Sequence, residues 1–172
     1  ILEPAAKGMV ADGTPYTGIL YAGLMLTNEG PQVIEFNCRF GDPEAQVILP
    51  RLKSDLLDII ISHCNQKQQE AHIVFSPDIA ITVVMANKGY PGSYQPNSII
   101  RQLDTLSLKS DRFIYHSGTQ RNDKGDIIAS GGRVLSITAT AGTYSAARKK
   151  AYDTISLIKW ENGFYRTDIG NF

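Results

Sequence analysis

The sequence has no excess of charge of either sign and no long hydrophobic run. Seventeen lysines and arginines balance seventeen aspartates and glutamates, so no overall basic field favours binding to nucleic acid or to an anionic membrane. Apolar runs such as residues 56–61 fall far short of the roughly 20 residues that a transmembrane helix needs. We therefore expect neither a nucleic-acid partner nor a membrane span, although local clusters of charge could bind small anions.

Cysteine is also scarce. Cys38 and Cys64 are the only two, and their spacing fits neither a zinc site nor a redox pair, which is typical of proteins in a reducing compartment. The first residues, Ile1–Pro4, include no initiator methionine and no signal-peptide pattern. The sequence thus predicts a cytoplasmic protein, and its first residue is expected to be the cut end of a longer chain.

A hydrophobic content of 42% is enough for a packed core, in one ordinary domain or in two small ones. Two β-rich runs, at residues 16–26 and 33–37, flank a turn and predict a β-hairpin. Asp42 suits a helix N-cap and Pro43 the first helical position, so a helix is predicted from Pro43 to about Leu52.

A second helix is predicted next, followed by a change in composition. Ser54 can cap this helix, whose apolar residues recur at helical spacing up to about Asn65. The polar stretch of residues 65–70 has no apolar periodicity. We therefore place a domain boundary near residue 75, between a first domain of residues 1–75 and a second of residues 76–172.

The second domain is predicted to be β-rich with one helix. Its strands and turns are expected at residues 79–85, 113–116, 127–129 and 133–140, and at residues 89–92 and 122–125. A helix is predicted over Thr143–Ile158, because Ala147, Ala151, Ile155 and Ile158 form one stripe. The predicted fold class is α+β, with a small antiparallel sheet or barrel in the second domain.

The chemistry is concentrated in the second strand of the predicted hairpin. Side chains alternate between the two faces of a strand, so Glu35 and Asn37 point the same way. A carboxylate and an amide carbonyl are suitable ligands for Mg²⁺, which takes few protein oxygens and shares phosphate oxygens. Arg39 continues the alternation, so its guanidinium would lie beside a transferring phosphoryl group. A lone Glu-x-Asn pattern also fits a solvated strand face.

A longer run of residues carries a family resemblance. The segment from Val33 to Gln46, VIEFNCRFGDPEAQ, resembles the signature of the phosphoribosylamine–glycine ligase family of ATP-grasp enzymes, and it is long enough to be specific. The similarity covers essentially the whole chain. It includes residues 13–24, 51–56, 89–92, 116–119, 131–135 and 168–170.

The resemblance implies a fold and a set of roles. The chain would be the C-terminal portion of an ATP-grasp domain, an antiparallel sheet with helices, followed by a small β-rich C-terminal domain with a helix. Glu35 and Asn37 match the family's metal-binding residues, and Arg39 matches the arginine that many ATP-grasp enzymes set beside the reacting phosphate. Many members carry a further acidic ligand at about the position of Ala22 or Gly23. This chain has no carboxylate there, so a second Mg²⁺ held fully by protein is not expected.

Other residues of the first domain are candidates for ligand contacts. Leu24 and Met25 are the candidates for the adenine side of ATP, with a place in the hydrophobic core as the favoured alternative. Asp42 and Glu44 could orient the substrate amine. The alternative for these two is a role as cap and first-turn charge of a helix.

In the second domain, Gly132 and Arg133 are the candidates for substrate binding. Two glycines beside an arginine allow the backbone to approach an anion closely, and the resemblance favours a substrate phosphate or carboxylate over an ordinary turn with a surface arginine. His116 is interpreted as structural more readily than as a substrate contact. Cys38 has no obvious base beside it and is interpreted as structural.

The activity that the resemblance implies needs ATP with Mg²⁺ or Mn²⁺. ATP phosphorylates glycine, and 5-phosphoribosylamine then displaces phosphate to give glycinamide ribonucleotide, a step of purine biosynthesis. The other wall of the ATP site would come from a missing N-terminal part of the same enzyme, so the chain alone is expected to be inactive. Two alternatives stay open: an ATP-grasp ligase for a different acid or amine, and a non-catalytic module that binds a nucleotide or a sugar phosphate.

Overall fold

The computed structural model of the chain describes residues 1–65, 67 and 72–171, which form two compact units. The N-terminal unit comprises Ile1–Ala45 and Lys53–Val74, and the C-terminal unit comprises Gln46–Leu52 and Phe75–Phe172. Most of the polar stretch predicted at residues 65–70 lies outside the described residues. In the part of the chain that is described, no helix combines the length and the apolar character needed to cross a membrane.

The N-terminal unit contains the predicted hairpin, preceded by a helix that the sequence did not predict. The bounds of these elements are α1 Leu2–Ala11, β1 Tyr21–Thr27 and β2 Gly30–Asn37. The strands pair antiparallel, with Tyr21 opposite Asn37 and Gly23 opposite Glu35. The hairpin is therefore confirmed.

The first strand of the hairpin begins at Tyr21 and not at Tyr16, as the β-rich run had predicted. The side chain of Tyr16 turns back, and its hydroxyl lies 3.1 Å from the carbonyl oxygens of both Ile19 and Cys38. These contacts hold the segment before β1 as an irregular loop against the end of β2.

The helix predicted from Pro43 to Leu52 is wrong in extent. The helix α2 covers only Ala45–Ile48, and a 3₁₀ turn follows over Leu49–Arg51. The Asp42–Pro43 peptide is cis, and Asp42 is not the N-cap, because the helix begins three residues later. Pro50 has no N–H and cannot donate the bond that would continue an α-helix, so the chain tightens into the 3₁₀ turn.

The next helix, α3, spans Leu56–Cys64, and its cap differs from the prediction. Asp55 is the N-cap, and its carboxylate accepts hydrogen bonds from the N–H groups of Leu57 and Asp58. The predicted cap, Ser54, binds residues 72–74 instead: its hydroxyl donates to a carbonyl of that segment and accepts from an N–H group. The predicted end is confirmed, because Asn65 is the C-cap.

The C-terminal unit is built from two antiparallel sheets and one long helix. The element bounds are β3 Ile79–Asn87, β4 Ser98–Ile99, β5 Arg112–His116, β6 Thr119–Arg121, β7 Ile127–Ala129, β8 Arg133–Ala141, α4 Tyr144–Ser156 and β9 Gly163–Phe164. One sheet has the strand order β5-β8-β3-β9, and the other has the order β4-β7-β6. The four predicted strands are confirmed to within two residues at each end, whereas the short strands β4, β6 and β9 were not predicted.

A sealed core lies between α4 and the larger sheet. Thr143 caps the helix through its side chain, and the predicted stripe of Ala147, Ala151 and Ile155 is buried against the sheet. Leu135 and Ile137 of β8 are fully buried. This packing fixes β8, whose first residue, Arg133, is a predicted site residue.

The N-terminal unit lacks a comparable core among its described residues. Leu26, Ile34 and Leu57 are exposed, with Leu26 retaining 82% of its accessible surface. Much of the apolar surface of the hairpin and of α3 is therefore left exposed by the residues that the structure describes.

Candidate functional site

One face of the hairpin carries four residues of the candidate site. Tyr21 pairs with Asn37 and Gly23 pairs with Glu35. Cross-strand partners and residues two apart share a face of a sheet. A bulge lies between Gly23 and Leu24, beyond these two pairs, so the alternation that sets Glu35 beside Asn37 is intact.

The two predicted metal ligands contact each other directly. The Asn37 Nδ2 donates a hydrogen bond of 2.8 Å to the Glu35 Oε1. This bond uses the amide nitrogen of Asn37, so it orients the amide while leaving the amide oxygen and the second carboxylate oxygen as ligand atoms. The described residues contain no group of three or more His, Cys, Asp and Glu arranged for a metal. Two hard oxygens fit Mg²⁺, which completes its shell with water and phosphate oxygens.

Gly23 makes room for the Glu35 side chain. A Cβ atom built on Gly23 would lie 3.2 Å from the Glu35 Cγ, which is closer than an ordinary packing contact. A larger side chain at Gly23, one of the two positions where a further acidic ligand was expected, would therefore press against Glu35.

Arg39 lies beyond the strand. Because β2 ends at Asn37, the argument that strand alternation directs Arg39 into the site is wrong. The side chain is exposed, and its Nη1 donates 2.9 Å to the carbonyl of Phe40. A role of Arg39 at the reacting phosphate stays a prediction, now supported only by the resemblance.

Glu44 contacts the hairpin through Tyr21, a contact that the sequence did not predict. The Tyr21 hydroxyl donates 2.9 Å to the Glu44 Oε1, so Glu44 is tied to the hairpin. Glu44 also directly precedes α2, which begins at Ala45. This hydrogen bond, with burial and the nearby charges of Glu44 and Glu35, raises the pKa of Tyr21 above its ordinary value. Counting the register back from the hairpin turn would have placed Tyr21 opposite Phe36, because the bulge between Gly23 and Leu24 shifts the pairing by one residue.

The remaining candidates of the N-terminal unit are exposed. Leu24 and Met25 are both exposed on β1, so the interpretation of these residues as core is wrong for the described chain, and contact with adenine stays a prediction. Asp42 is exposed in the turn before α2. Cys38 is an exposed thiol whose carbonyl oxygen faces the Tyr16 hydroxyl.

In the C-terminal unit, Gly132 and Arg133 lie where three backbone segments meet. Asn87, at the end of β3, is 1% exposed. It donates from its backbone N–H to the Gly132 carbonyl at 2.9 Å and from its Nδ2 to the Gly131 carbonyl at 2.7 Å. The loop before Arg133 is thus held by two hydrogen bonds from one residue, and Arg133 itself is exposed.

His116 lies at the end of β5, where it pairs with Leu135 of β8. Its Nδ1 is 2.9 Å from the Thr119 Oγ1, which ties the two ends of the short loop between β5 and β6. This contact agrees with the structural interpretation of His116.

A hairpin that sets a carboxylate beside an amide oxygen, followed by a small β-rich unit with one helix, is the arrangement expected of the C-terminal part of an ATP-grasp ligase. Residues 1–45 match a family model described as the ATP-grasp (A) domain of phosphoribosylglycinamide synthetase, and residues 80–172 match the model of its C domain. The chain therefore belongs to the phosphoribosylglycinamide synthetase family.

Individual relatives agree with this assignment. The chain is 47% identical to a phosphoribosylamine–glycine ligase from Brucella melitensis over 99% of its length, and 42% identical to a chloroplastic enzyme of the same name from Arabidopsis thaliana. These alignments cover 40% and 32% of the relatives. The chain thus spans well under half the length of the curated relatives that it matches.

Solved structures give the same result. The crystal structure of a phosphoribosylamine–glycine ligase from Thermotoga maritima superposes with a TM-score of 0.77 at 31% identity, covering 94% of this chain and 39% of that one. A biotin carboxylase domain from Hydrogenobacter thermophilus, solved with MgADP and bicarbonate, has a TM-score of 0.63 at 12% identity, covering 90% of this chain and 34% of that one. The second likeness concerns the fold alone.

Proposed function

We propose that this chain is the C-terminal part of a ligase that uses ATP to join glycine to 5-phosphoribosylamine. The products would be glycinamide ribonucleotide, ADP and phosphate, in purine biosynthesis. The observation that carries the proposal is the Glu35–Asn37 pair, whose two side chains share one face of the hairpin and are joined by a hydrogen bond of 2.8 Å. The family membership and the relatives' names support the choice of substrates.

The first task of the site is to hold the nucleotide phosphates. Glu35 and Asn37 would bind the divalent cation that accompanies ATP, Mg²⁺ or Mn²⁺, through one carboxylate and one amide oxygen. When bound there, the cation supplies neutralisation of charge at the β- and γ-phosphates. Because Asn37 is oriented by its bond to Glu35, the two ligand atoms are set before the nucleotide arrives, and little reorganisation is needed in the reaction.

The second task is transfer of the phosphoryl group to the acid. Arg39 would bind oxygens of the transferring group through its planar guanidinium, which matches two phosphate oxygens at once. Glycine attacks through a carboxylate oxygen to give an acyl phosphate and ADP. The amine nitrogen of 5-phosphoribosylamine then forms the amide bond, phosphate leaves, and the amine loses its proton.

The C-terminal unit would bind a substrate anion. Arg133 is an exposed cation at the start of β8, and the Gly131–Gly132 backbone beside it is held by Asn87. We propose that this corner takes a phosphate or carboxylate of a substrate. Leu24 and Met25 would contact the adenine side of ATP, and Asp42 and Glu44 would face the substrate amine.

The rest of the ATP site would come from the part of the enzyme that precedes this chain. We propose a domain boundary near residue 75, with residues 1–75 completing the ATP-grasp domain and residues 76–172 forming the small C-terminal domain. The cytoplasm is the proposed location, in keeping with two cysteines that are both free.

The test uses the complete enzyme that contains this chain. ADP release is measured with 5-phosphoribosylamine and a panel of acids: glycine, alanine, serine and acetate. We expect glycine to have the highest kcat/KM and ADP release to depend on added Mg²⁺ or Mn²⁺. A higher kcat/KM for another acid would contradict the proposed substrate, and binding of ATP without ADP release in any mixture would favour a non-catalytic module.

A matched pair of variants separates the metal ligands from the rest of the hairpin. Glu35→Gln removes one charge from the site face, and Glu29→Gln removes the same charge from the β-turn. We expect only the first to raise the concentration of Mg²⁺ needed for half-maximal rate. An equal change in both variants would contradict the assignment of Glu35.

A further inference from the structure

We propose that Tyr21 is a positioning residue, which holds the Glu44 carboxylate in one place beside the Glu35–Asn37 face so that Glu44 can bind the amino group of a substrate. The inference rests on the proposed function and deepens it. Neither residue role follows from the local sequence pattern, because Tyr21 and Glu44 are far apart in the chain and belong to different elements.

The contact itself is a hydrogen bond of ordinary length to a charged acceptor. The Tyr21 hydroxyl donates 2.9 Å to the Glu44 Oε1, and both residues are partly buried. Tyr21 shares its face of the hairpin with Glu35 and Asn37, because it pairs with Asn37 across the strands. Glu44 is therefore tied to the same face that carries the candidate metal ligands.

Gly41 leaves room for the other oxygen of the same carboxylate. A Cβ atom built on Gly41 would lie only 2.1 Å from the Glu44 Oε2, and Gly41 itself is buried. The carboxylate thus occupies the space that any other residue at position 41 would fill. The Tyr21 hydroxyl therefore holds one oxygen of Glu44, and the missing side chain of Gly41 leaves space for the other.

A carboxylate held in this way is suited to one kind of ligand. Its negative charge disfavours the phosphates of ATP and the carboxylate of glycine, and its oxygens accept hydrogen bonds only. Among the proposed substrates the matching groups are the ammonium of glycine and the amine of 5-phosphoribosylamine. Tyr21 does not touch the substrate in this scheme; it lowers the cost of ordering Glu44.

The experiment is a double-mutant cycle in the complete enzyme. The KM for glycine, for 5-phosphoribosylamine and for ATP is measured in wild type, Tyr21→Phe, Glu44→Gln and the double variant. We expect Tyr21→Phe to raise the KM for one amino substrate about tenfold, the size expected for a hydrogen bond to a charged group. The KM for ATP should stay within about twofold. A rise for glycine assigns its ammonium, and a rise for 5-phosphoribosylamine assigns its amine.

The double variant decides whether Tyr21 acts through Glu44. We expect it to have the KM of Glu44→Gln alone, because positioning by the hydroxyl no longer affects the amino substrate once the carboxylate charge that binds it is gone. Gly41→Ala displaces the carboxylate without changing the tyrosine, and it should give the same selective defect. It also tests the role of the Glu44 carboxylate if Tyr21→Phe fails to fold.

Tyr152→Phe is the matched control. It removes a tyrosine hydroxyl that donates 2.8 Å to the Arg166 carbonyl, and it should leave all three KM values at those of wild type. Additive effects in the cycle, an equal rise in the KM for ATP, or no change in either amino substrate would overturn the role of Tyr21. A wild-type enzyme that makes no glycinamide ribonucleotide would overturn the proposed function instead.

Discussion

Gly118→Ala should destabilise the C-terminal unit, because the added methyl group meets backbone on two sides. The new Cβ would lie 2.6 Å from the Arg133 carbonyl oxygen and 2.8 Å from the Gly131 Cα, whereas ordinary contacts are about 3.5–4.0 Å. The two backbone segments must therefore separate by roughly 1 Å. Neither neighbour is a flexible side chain that could swing away.

The separation is opposed by hydrogen bonds that cross the same gap. The N–H groups of Ser117 and Gly118 donate to the Val134 carbonyl, and those of Ser130 and Gly131 donate to the Gly118 carbonyl. Overpacking of this kind costs about 1–3 kcal/mol, and the loss of glycine's freedom in the unfolded chain returns about 0.4–1 kcal/mol. We expect a net loss of about 1–2 kcal/mol, or a Tm lower by about 4–10 °C for a unit of this size.

The fluorescence of Trp160 reports selectively on unfolding of the C-terminal unit. It is the single tryptophan of the chain, it is buried in the C-terminal unit, and its Nε1 donates 2.8 Å to the Ser98 Oγ. Urea unfolding of the 172-residue chain is followed by its fluorescence. Gly142→Ala is the control, because a Cβ atom there meets no atom within 4 Å; it should leave the midpoint unchanged or raise it slightly. Equal midpoints for the two variants would refute the steric argument.

Three further predictions concern charged groups. In the complete enzyme, Glu35→Gln should raise the Mg²⁺ requirement of ATP use, whereas Glu44→Gln should not; titration with Mg²⁺ checks this, and equal shifts would contradict the division of roles. Arg39→Lys should lower kcat roughly ten- to a hundredfold through loss of the planar fork, with an unchanged Tm; an unchanged kcat would remove Arg39 from the mechanism. Asp111 forms an ion pair with Lys150, in which the Nζ and the Oδ2 are 2.6 Å apart. The hydrogen bond from Lys150 lowers the pKa of Asp111 from its ordinary 3.8. Asp111→Asn should therefore cost about 0.5–1 kcal/mol near pH 7. The difference should shrink as the pH falls below the ordinary pKa of 3.8 and disappear below the lowered folded pKa, since the stabilisation is fully present above the first and lost through the second; a difference that persists in acid would contradict the ion pair.

The parts of the fold that follow from local pattern were predicted well. The strand at residues 127–129 and the helix stripe of Ala147, Ala151 and Ile155 depend on periodicity and turns alone. The same holds for Glu35 and Asn37, whose common face needs only a regular strand between them. Such features are visible in one sequence because neighbours along the chain determine them.

The wrong or missing predictions concern features that depend on residues far apart in the chain or on where a strand ends. Ser54 and Asp55 are both good caps, and the choice between them depends on residues 72–74, which take the Ser54 hydroxyl. The contact between Tyr21 and Glu44 joins a strand to a turn that follows the other strand, so no local pattern shows it. Arg39 was assigned a direction by alternation, but the strand ends two residues before it.

The hairpin of the N-terminal unit has a consequence for the chain on its own. In the part of the chain that is described, β1 and β2 pair only with each other, so each has an outer side whose backbone groups face away from its partner. Leu26 and Ile34 add exposed apolar surface to these open edges. Such an edge is a template for pairing with further strands. Concentrated solutions of this chain should therefore aggregate through β1 and β2, while the sealed sheet beneath α4 keeps its native form within the aggregates.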